Sequence, residues 1–445
     1  MNMKIWQKDE ASTIEVDRFT VGGDRALDER LAMADVLGSL AHTRMLATID
    51  LMKADELAKV QQGLKTIARQ IEGGEFAIDP SSEDIHSEVE ARLTEMLGDV
   101  GKKIHSGRSR NDQVLLDLRL YFRGEICQIA ELTRDLFVTL QSLARTHQNT
   151  LLPGYTHLQV AMPSSFGLWF GSWAESLADD LQTLLSAWKV CNKNPLGSAA
   201  GYGSSFPLDR QMTTDLLGFD SPSYNVVYAQ MGRGKTERVL CNAMANIALT
   251  LGKLAMDNAL YLSQNFAFIS YPDSLTTGSS IMPHKKNPDV WEIMRGRCNL
   301  IAATPMQVSM LTGNLPSGYH RDLQLLKEIV FPAITSLKEC LSMAKYMLEH
   351  VSVRDNILDE EKYRYIFSVE VVNALAVSGV PFRDAYRRVG LEIKNGTFEP
   401  LRKVNHTHLG SIGNLALEPV AADFAATFAA FNFEKFQQAQ AALLL

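Results

Sequence analysis

The chain has 445 residues, of which 46% are hydrophobic and 21% charged, and its formal net charge is −7. This composition is typical of a globular protein with an ample core and two or three domains. The acidic balance argues against nucleic acid as a partner, because nucleic-acid binding favours a basic surface. Five separated cysteines without a CxxC pair favour a reducing cytoplasm, with neither disulfides nor a zinc site.

The N-terminal stretch MNMKIWQKDEASTIEV lacks the apolar core of a signal peptide. Polar residues interrupt the most apolar run of the chain, from Ala243 to Leu262. This run is therefore predicted to be a buried helix rather than a membrane span, and no membrane partner is expected.

Proline placement predicts the architecture. No proline occurs between Pro80 and Pro153, between Pro163 and Pro195, or between Pro222 and Pro272. These windows are rich in good helix formers, and the segment from Thr236 repeats apolar residues at helical spacing. The chain is predicted to be all-α, with a small N-terminal helical domain (1–105), a central domain of long bundled helices (106–360) and a small C-terminal helical domain (361–445). Acidic pairs such as Asp179-Asp180 are predicted to lie on exposed helix surface.

Two segments carry candidate site residues before the middle of the chain. The first, KKIHSGRSRNDQ (102–113), places two arginines and an asparagine around a glycine. Arginine binds carboxylates in a bidentate manner, although the segment alone is equally consistent with a solvated basic turn. The second, LPGYTHLQVAMP (152–163), contains His157 in a short apolar run, where a core histidine is the commoner explanation.

The third segment is GSSIMPHKKNP (278–288), which combines a Gly-Ser-Ser loop with two lysines. Asn287 is predicted to cap a following helix, with Pro288 in its first turn. A helix N-terminus beside two lysines favours an anion. Other motifs fail: AQMGRGKT (229–236) lacks the first glycine of a P-loop, LGSAAGYGSS lacks dinucleotide-binding spacing, and neither GxSxG nor HExxH occurs. No metal site is predicted.

Together these segments resemble the fumarase/aspartase superfamily, and within it the argininosuccinate lyase family. GSSIMPHKKNP resembles the superfamily signature, and HSGRSRNDQ and GYTHLQVAMP are similar to two segments of the family. The resemblance continues through EDIH (83–86), NPLGSAAGYGSSFPLDR, SGYHRDLQLLK and GVPFR (379–383). It covers nearly the whole chain in the right order.

The resemblance implies three mostly helical domains whose long central helices form a bundle shared in a homotetramer. It also implies that three subunits meet at each active site. The implied reaction is cleavage of argininosuccinate, a small molecule, to arginine and fumarate without a cofactor.

The resemblance also assigns catalytic roles. Ser280 is the base that removes a proton next to a carboxylate, and Lys286 and Asn287 stabilise the resulting carbanion. His157 is the acid that protonates the departing guanidine nitrogen, and Glu292 orients the ring of His157. The implied substrate-binding residues are Arg110, Asn111, Thr156, Asn287, Tyr319, Gln324 and Lys327, together with Ser106 and His86, which line or support the site.

Three departures from the family pattern leave the substrate open. The opening IWQKDEAST lacks the usual Gly-Gly-Arg-Phe, and the segment around Gly22-Gly23 lacks the usual serines, so that backbone N–H groups would have to replace them. The segment QMGRG (230–234) replaces the usual Ser-Asp-Arg-Asp-Phe of the family, and only Arg233 matches that pattern. His284 is more typical of adenylosuccinate lyases. The alternatives are a sister lyase such as adenylosuccinate lyase or aspartase, a non-enzymatic protein on the same scaffold, and a helical scaffold for partner binding.

Overall fold

The computed structural model describes residues 14–445, so the altered opening IWQKDEAST (5–13) lies outside the described residues. The all-α prediction is confirmed, because the described part contains seventeen α-helices and only three two-stranded sheets. The first six helices precede the bundle: α1 (Ile14–Val21), α2 (Asp24–Asp28), α3 (Ala32–Thr48), α4 (Ala54–Glu72), α5 (Ile85–Leu97) and α6 (Asp99–Lys102).

The middle of the chain holds the long helices and all six strands. In chain order these are α7 (Arg110–Thr146), β1 (Leu151–Thr156), β2 (Gln159–Ser165), α8 (Phe166–Cys191), β3 (Lys193–Asn194), α9 (Arg210–Leu216), β4 (Ser221–Pro222), α10 (Val226–Met231), α11 (Lys235–Leu262), β5 (Ile269–Ser270), α12 (Asp289–Thr312), α13 (Leu326–Leu348) and β6 (Ser352–Val353). The last four helices follow: α14 (Ser368–Val377), α15 (Phe382–Lys394), α16 (Leu417–Ala429) and α17 (Phe433–Leu444).

Five long helices, α7, α8, α11, α12 and α13, pack side by side as the central bundle. Three of them fill the proline-free windows, as predicted. The proline criterion missed the other two, because α12 contains Pro305 and α13 contains Pro332. The bundle core is continuous with the apolar side chains of α3, α4, α5, α16 and α17, whereas α14 and α15 form a second small cluster around Val372 and Val389. The exact domain boundaries stay a prediction.

The lengths of two helices fix where the site segments lie. Helix α7 has 37 residues and spans about 55 Å, and α12 has 24 residues and spans about 36 Å. Helix α13 runs back antiparallel along α12, since Asp289 and Tyr346 line one groove while Leu311 and Leu325 line another. Segments before and after each helix are therefore held at opposite ends of the bundle.

The β-hairpin formed by β1 and β2 was not predicted. Its two-residue turn consists of His157 and Leu158, whose φ angles of 55° and 58° are both left-handed. Such turns usually carry Asn or Gly, which adopt this conformation at low cost. His157 and Leu158 give no such signal in the sequence, so the hairpin was missed.

One helix of the described residues, α11, is long and apolar enough to cross a membrane by length and composition. However, 61% of its apolar window is buried within the chain, which agrees with the predicted core helix. The prediction for Asp180 was wrong: its side chain is buried and accepts a hydrogen bond of 2.6 Å from Thr250. Burial raises the pKa of Asp180 to about 6.

A glycine beside the first site segment provides a test of this packing. A Cβ atom at Gly101 would lie 2.4 Å from the backbone oxygen of Leu93, and backbone atoms cannot move aside as a flexible side chain can. We expect Gly101→Ala to destabilise the protein by about 1–3 kcal/mol, measured by denaturant or thermal unfolding.

Gly124→Ala is the matched control, because nothing lies within 4 Å of a Cβ built there in α7. Alanine has the higher helix propensity, so the control should unfold at the wild-type temperature or above it. Equal unfolding midpoints for Gly101→Ala and the wild type would contradict the packing described.

Candidate active site

A pocket of about 240 Å³ lies where the start of α7 meets α2, the start of α5 and the segment that leads into α13. It brings together six of the nine predicted substrate-binding residues, namely His86, Arg110, Asn111, Tyr319, Gln324 and Lys327. Arg233 also lines the pocket. Ser106, Thr156 and Asn287 do not line this pocket.

The Ser-Arg-Asn-Asp sequence folds as a helix start. Ser109 caps α7 by accepting a hydrogen bond from the backbone N–H of Asn111, and its own N–H donates to Asp112 at 2.8 Å. The other carboxylate oxygen of Asp112 accepts bonds from the backbone N–H groups of Gly197 and Ala199. Arg110 and Asn111 therefore face the pocket from a fixed first turn, where the helix dipole also favours an anion.

Acidic side chains already pair with the main cations of the pocket. Arg110 donates to Glu83 at 2.9 Å and to Ser87 at 2.7 Å. Lys327 is almost fully buried and donates to Asp24 at 2.8 Å and also to Asp28. A bound carboxylate must therefore compete with carboxylates of the chain itself.

Asp24 has an unusual ionisation. Burial raises the pKa of its carboxyl group to about 6, and the charge of Asp28 acts in the same direction while that of Lys327 opposes it. Asp24 directly follows Gly22-Gly23, in the altered segment that lacks the family serines. Sequence reasoning noted the missing serines but did not predict this acid, and Glu83, although quoted within EDIH, was not predicted as the partner of Arg110.

The altered segment around Gly22-Gly23 lies against the pocket through its carbonyl groups and side chains. The backbone oxygen of Thr20 accepts a hydrogen bond from Gln324 at 2.9 Å, and Val21 and Asp24 line the pocket. The N–H group of Gly22 donates to the carbonyl of Arg18. This N–H group is therefore not available in this conformation to replace a serine of the family, so that the expectation is wrong for Gly22.

Arg233, the single match in the second altered segment, has a defined place. It is buried, donates to the backbone oxygen of Leu323 at 3.0 Å, and lies with its guanidinium 5.8 Å from the ring centre of Tyr319. It fixes the segment that carries Tyr319 and Gln324 and leaves its Nε without a hydrogen bond among the described residues.

His157 lies at the tip of the hairpin, exposed, beside the exposed Thr156. Its ring makes no hydrogen bond or ion pair with the rest of the described chain. The interpretation as a core histidine is therefore wrong, and the ring is free to contact another molecule.

The loop 278–288 is closed at its base by pairing between Thr277 and Asn287. Ser279 accepts hydrogen bonds from the N–H groups of Ile281 and Met282, whereas the exposed Ser280 makes none among the described residues. Lys286 pairs with Asp273. The two serines thus differ: the hydroxyl of Ser279 stabilises the turn, whereas the hydroxyl of Ser280 is available to contact another molecule.

The predicted cap of α12 was wrong. The helix begins at Asp289 with Pro288 in the capping position, and the side chain of Asn287 donates instead to the carbonyl of Gly278 at 3.1 Å. Asn287 therefore joins the two ends of the loop and does not cap the helix. Glu292 is exposed in the first turn, four residues after Pro288.

Within one described chain, the hydrogen bonds and ion pairs connect neither His157 with Glu292 nor either of them with the pocket. Helix length explains the separation, because the loop of Ser280 precedes α12 while Tyr319 and Lys327 follow it. The outer face of α12 is apolar, with Ile293, Leu300 and Met310 between 62% and 74% exposed. Such a contiguous apolar face marks an interaction surface.

Comparison with known proteins identifies the family. A family model described as "Lyase" matches residues 15–302. An argininosuccinate lyase of Phocaeicola vulgatus is 57% identical over 444 residues, covering 100% of both chains. The chain belongs to the argininosuccinate lyase family. It is a lyase, as the sequence resemblance predicted.

More distant relatives agree with this assignment. An argininosuccinate lyase of Stenotrophomonas maltophilia is 39% identical over 384 residues, covering 86% of this chain and 89% of its own. A solved structure of an EDDS lyase variant with bound fumarate has a TM-score of 0.75 at 20% identity, covering 98% of this chain and 94% of its own. That likeness establishes the shared helical fold of the fumarase/aspartase superfamily.

The pKa of Asp24 predicts how the pocket responds to pH. The group is neutral below about pH 6 and ionised above it, and the ionised form both neutralises Lys327 and repels an anion. We expect the affinity for fumarate, a dicarboxylate that is largely a dianion throughout this range, to fall about tenfold from pH 5 to pH 7, measured by titration calorimetry.

In Asp24→Asn most of this decrease should disappear, because the residue no longer titrates. Asp55→Asn changes an exposed carboxylate of α4 and should retain the wild-type pH dependence. Identical pH profiles for Asp24→Asn and the wild type would exclude Asp24 as the titrating group.

Proposed function

We propose that the protein cleaves argininosuccinate to arginine and fumarate in the cytoplasm, without a cofactor. The observation that carries the proposal is the pocket, which gathers Arg110, Asn111, Tyr319, Gln324 and Lys327 from distant parts of the sequence. Arginine, lysine, amide and phenol groups at one place suit a substrate with three carboxylates. The name carried by the full-length relatives supports the same substrate.

The base in this proposal is Ser280. Proton removal next to a carboxylate produces a doubly charged carbanion, which needs cations and N–H donors already in position. Lys286 and Asn287, on the same loop, supply these once the loop lies over substrate. The lysine then exchanges Asp273 for the substrate carboxylate. Ser280 suits the base position because its hydroxyl has no partner among the described residues, unlike that of Ser279.

The acid in this proposal is His157. The guanidine nitrogen leaves more easily when it is protonated, and a histidine supplies the proton near neutral pH. Its exposed place at a rigid hairpin tip suits a ring that reaches into a site on another chain. Glu292 would then hold the ring and favour its protonated form.

The assembly in this proposal is a homotetramer in which three subunits build each site. Helix α12 alone is about 36 Å long, so the loop at its start cannot reach the pocket after its end in the same chain. Antiparallel association through the apolar face of α12 would bring opposite ends of different bundles together. Thr156 would accompany His157 to such a site, and Ser106, which lies four residues before Arg110 at the start of α7, would support the site.

The substrate is tested by offering argininosuccinate and adenylosuccinate separately to the purified protein and measuring fumarate release. We expect fumarate from argininosuccinate alone. Release from adenylosuccinate alone would favour the sister lyase that His284 suggests, and release from neither would contradict the proposal.

Ser280→Ala should reduce kcat by at least about a thousandfold while substrate still binds, because the hydroxyl acts in proton removal only. Ser279→Ala is the matched control: it removes a turn-forming hydroxyl and should retain most activity. Turnover of Ser280→Ala near the wild-type rate would remove this serine from the base position.

Shared sites predict complementation between inactive variants. Ser280→Ala and Arg110→Gln should each be inactive alone, but co-refolded mixtures should recover up to about a quarter of wild-type activity. In hybrids that assemble at random, some sites receive an intact Ser280 from one chain and an intact Arg110 from another. No recovery, in mixtures proven to form hybrids, would mean that one chain supplies both residues.

A further inference from the structure

A buried cluster of Asp35, His86 and Asp117 lies beneath the floor of the pocket. The Nδ1 atom of His86 is 2.7 Å from Oδ1 of Asp35 and 3.4 Å from Oδ2 of Asp117. Asp35 lies on α3 and is 2% exposed, His86 lies on α5 and is 7% exposed, and Asp117 lies on α7 and is 1% exposed. Three helices thus converge on a single imidazole ring.

The two ring nitrogens of His86 have different surroundings. Nδ1 faces two carboxylates and therefore carries a hydrogen. Nε2 has no hydrogen bond within the described chain, and the residue lines the pocket, so Nε2 is the polar atom that the ring can offer there. It is an acceptor if the ring is neutral and a donor if the ring is charged.

We propose that Asp35 and Asp117 hold His86 as an imidazolium, so that its Nε2–H is a permanent donor to a substrate carboxylate. This inference rests on the proposed function for the identity of the ligand. His86 would contact the substrate directly, whereas Asp35 and Asp117 would be positioning residues that act through its charge.

The arrangement of charge distinguishes His86 from the other cations of the pocket. Arg110 and Lys327 are paired with acids that themselves line the pocket, namely Glu83, Asp24 and Asp28. Asp35 and Asp117 do not line it. The two carboxylates nearest to Nδ1 of His86 therefore lie behind the ring, whereas Asp84 lines the pocket and acts on the ring through its charge.

The groups around the cluster favour the charged ring. Burial by itself lowers the pKa of His86, but the hydrogen bond to Asp35 and the charges of Asp35, Asp117 and Asp84 outweigh it, and the pKa rises to about 9. Burial and the charge of Asp35 raise the pKa of Asp117, and the charges of His86 and Arg108 oppose that rise. The other charged or titratable groups near the cluster are Arg108, Arg110, His105, Glu90 and Asp28.

The test uses the intact protein with ¹³C-labelled histidine, whose ring signals report protonation. His86 is assigned by its loss in His86→Gln. We expect the wild-type ring to stay protonated up to pH 8. In Asp117→Asn and Asp35→Asn its pKa should fall by more than one unit, because each change removes a carboxylate from the ring.

Ligand binding and turnover provide the second readout. At pH 8, His86→Gln and Asp117→Asn should each weaken succinate binding about tenfold, and the double variant should be no weaker than His86→Gln, because the acid acts only through the ring. In turnover KM should rise more than kcat falls. Asp180→Asn is the matched control, since it changes a buried carboxylate elsewhere and should alter neither the His86 signal nor binding.

A neutral His86 ring at pH 7 in the wild type would overturn the proposal, and this result requires no variant to fold. A protonated ring together with unchanged succinate affinity in His86→Gln would also overturn it. If argininosuccinate yields no fumarate but the ring is charged and binds succinate, the substrate assignment fails and the charge of His86 stands.

Discussion

The fixed rise of the α-helix is the constraint on which this molecule depends. Helices α7 and α12 hold the segments at their two ends about 55 Å and 36 Å apart. The chain therefore keeps the pocket of Arg110 and Lys327 away from the loop of Ser280 and the hairpin of His157. In the proposed tetramer, the exposed apolar side chains of α12 form the surface through which a second chain would bring Ser280 and His157 to the pocket.

The charges of the pocket follow a consistent arrangement. Arg110 and Lys327 are buried or partly buried, and unpaired buried charges are costly, so acids of the chain hold them in place. In the proposed function a substrate carboxylate would replace these acids as the partner of Arg110 and Lys327. Asp35 and Asp117, in contrast, lie outside the pocket lining and would remain the partners of His86 when substrate binds.

The sequence and the structure agree where local chemistry decides the outcome. Proline-free windows gave α7, α8 and α11, because helix propensity and apolar spacing act over neighbouring residues. They disagree where tertiary contacts decide. Asp180 looks like surface in the sequence, but Thr250 on another helix supplies the hydrogen bond that makes its burial tolerable. The hairpin at His157 was missed because the pairing of β1 with β2, rather than the residue types of the turn, places two left-handed residues there.

The sequence by itself determined the helical class and the long bundle, which follow from periodicity and proline placement. It also determined the family and six of the fourteen residues that line the pocket, which follow from motifs that resemble the family. Only the tertiary structure decided which of those residues meet within one chain. It also revealed the acids that pair with the cations, the cluster of Asp35, His86 and Asp117, and the different hydrogen bonding of Ser279 and Ser280. The physical reason is that charge pairing and burial depend on distances between atoms far apart in the sequence, which no local pattern records.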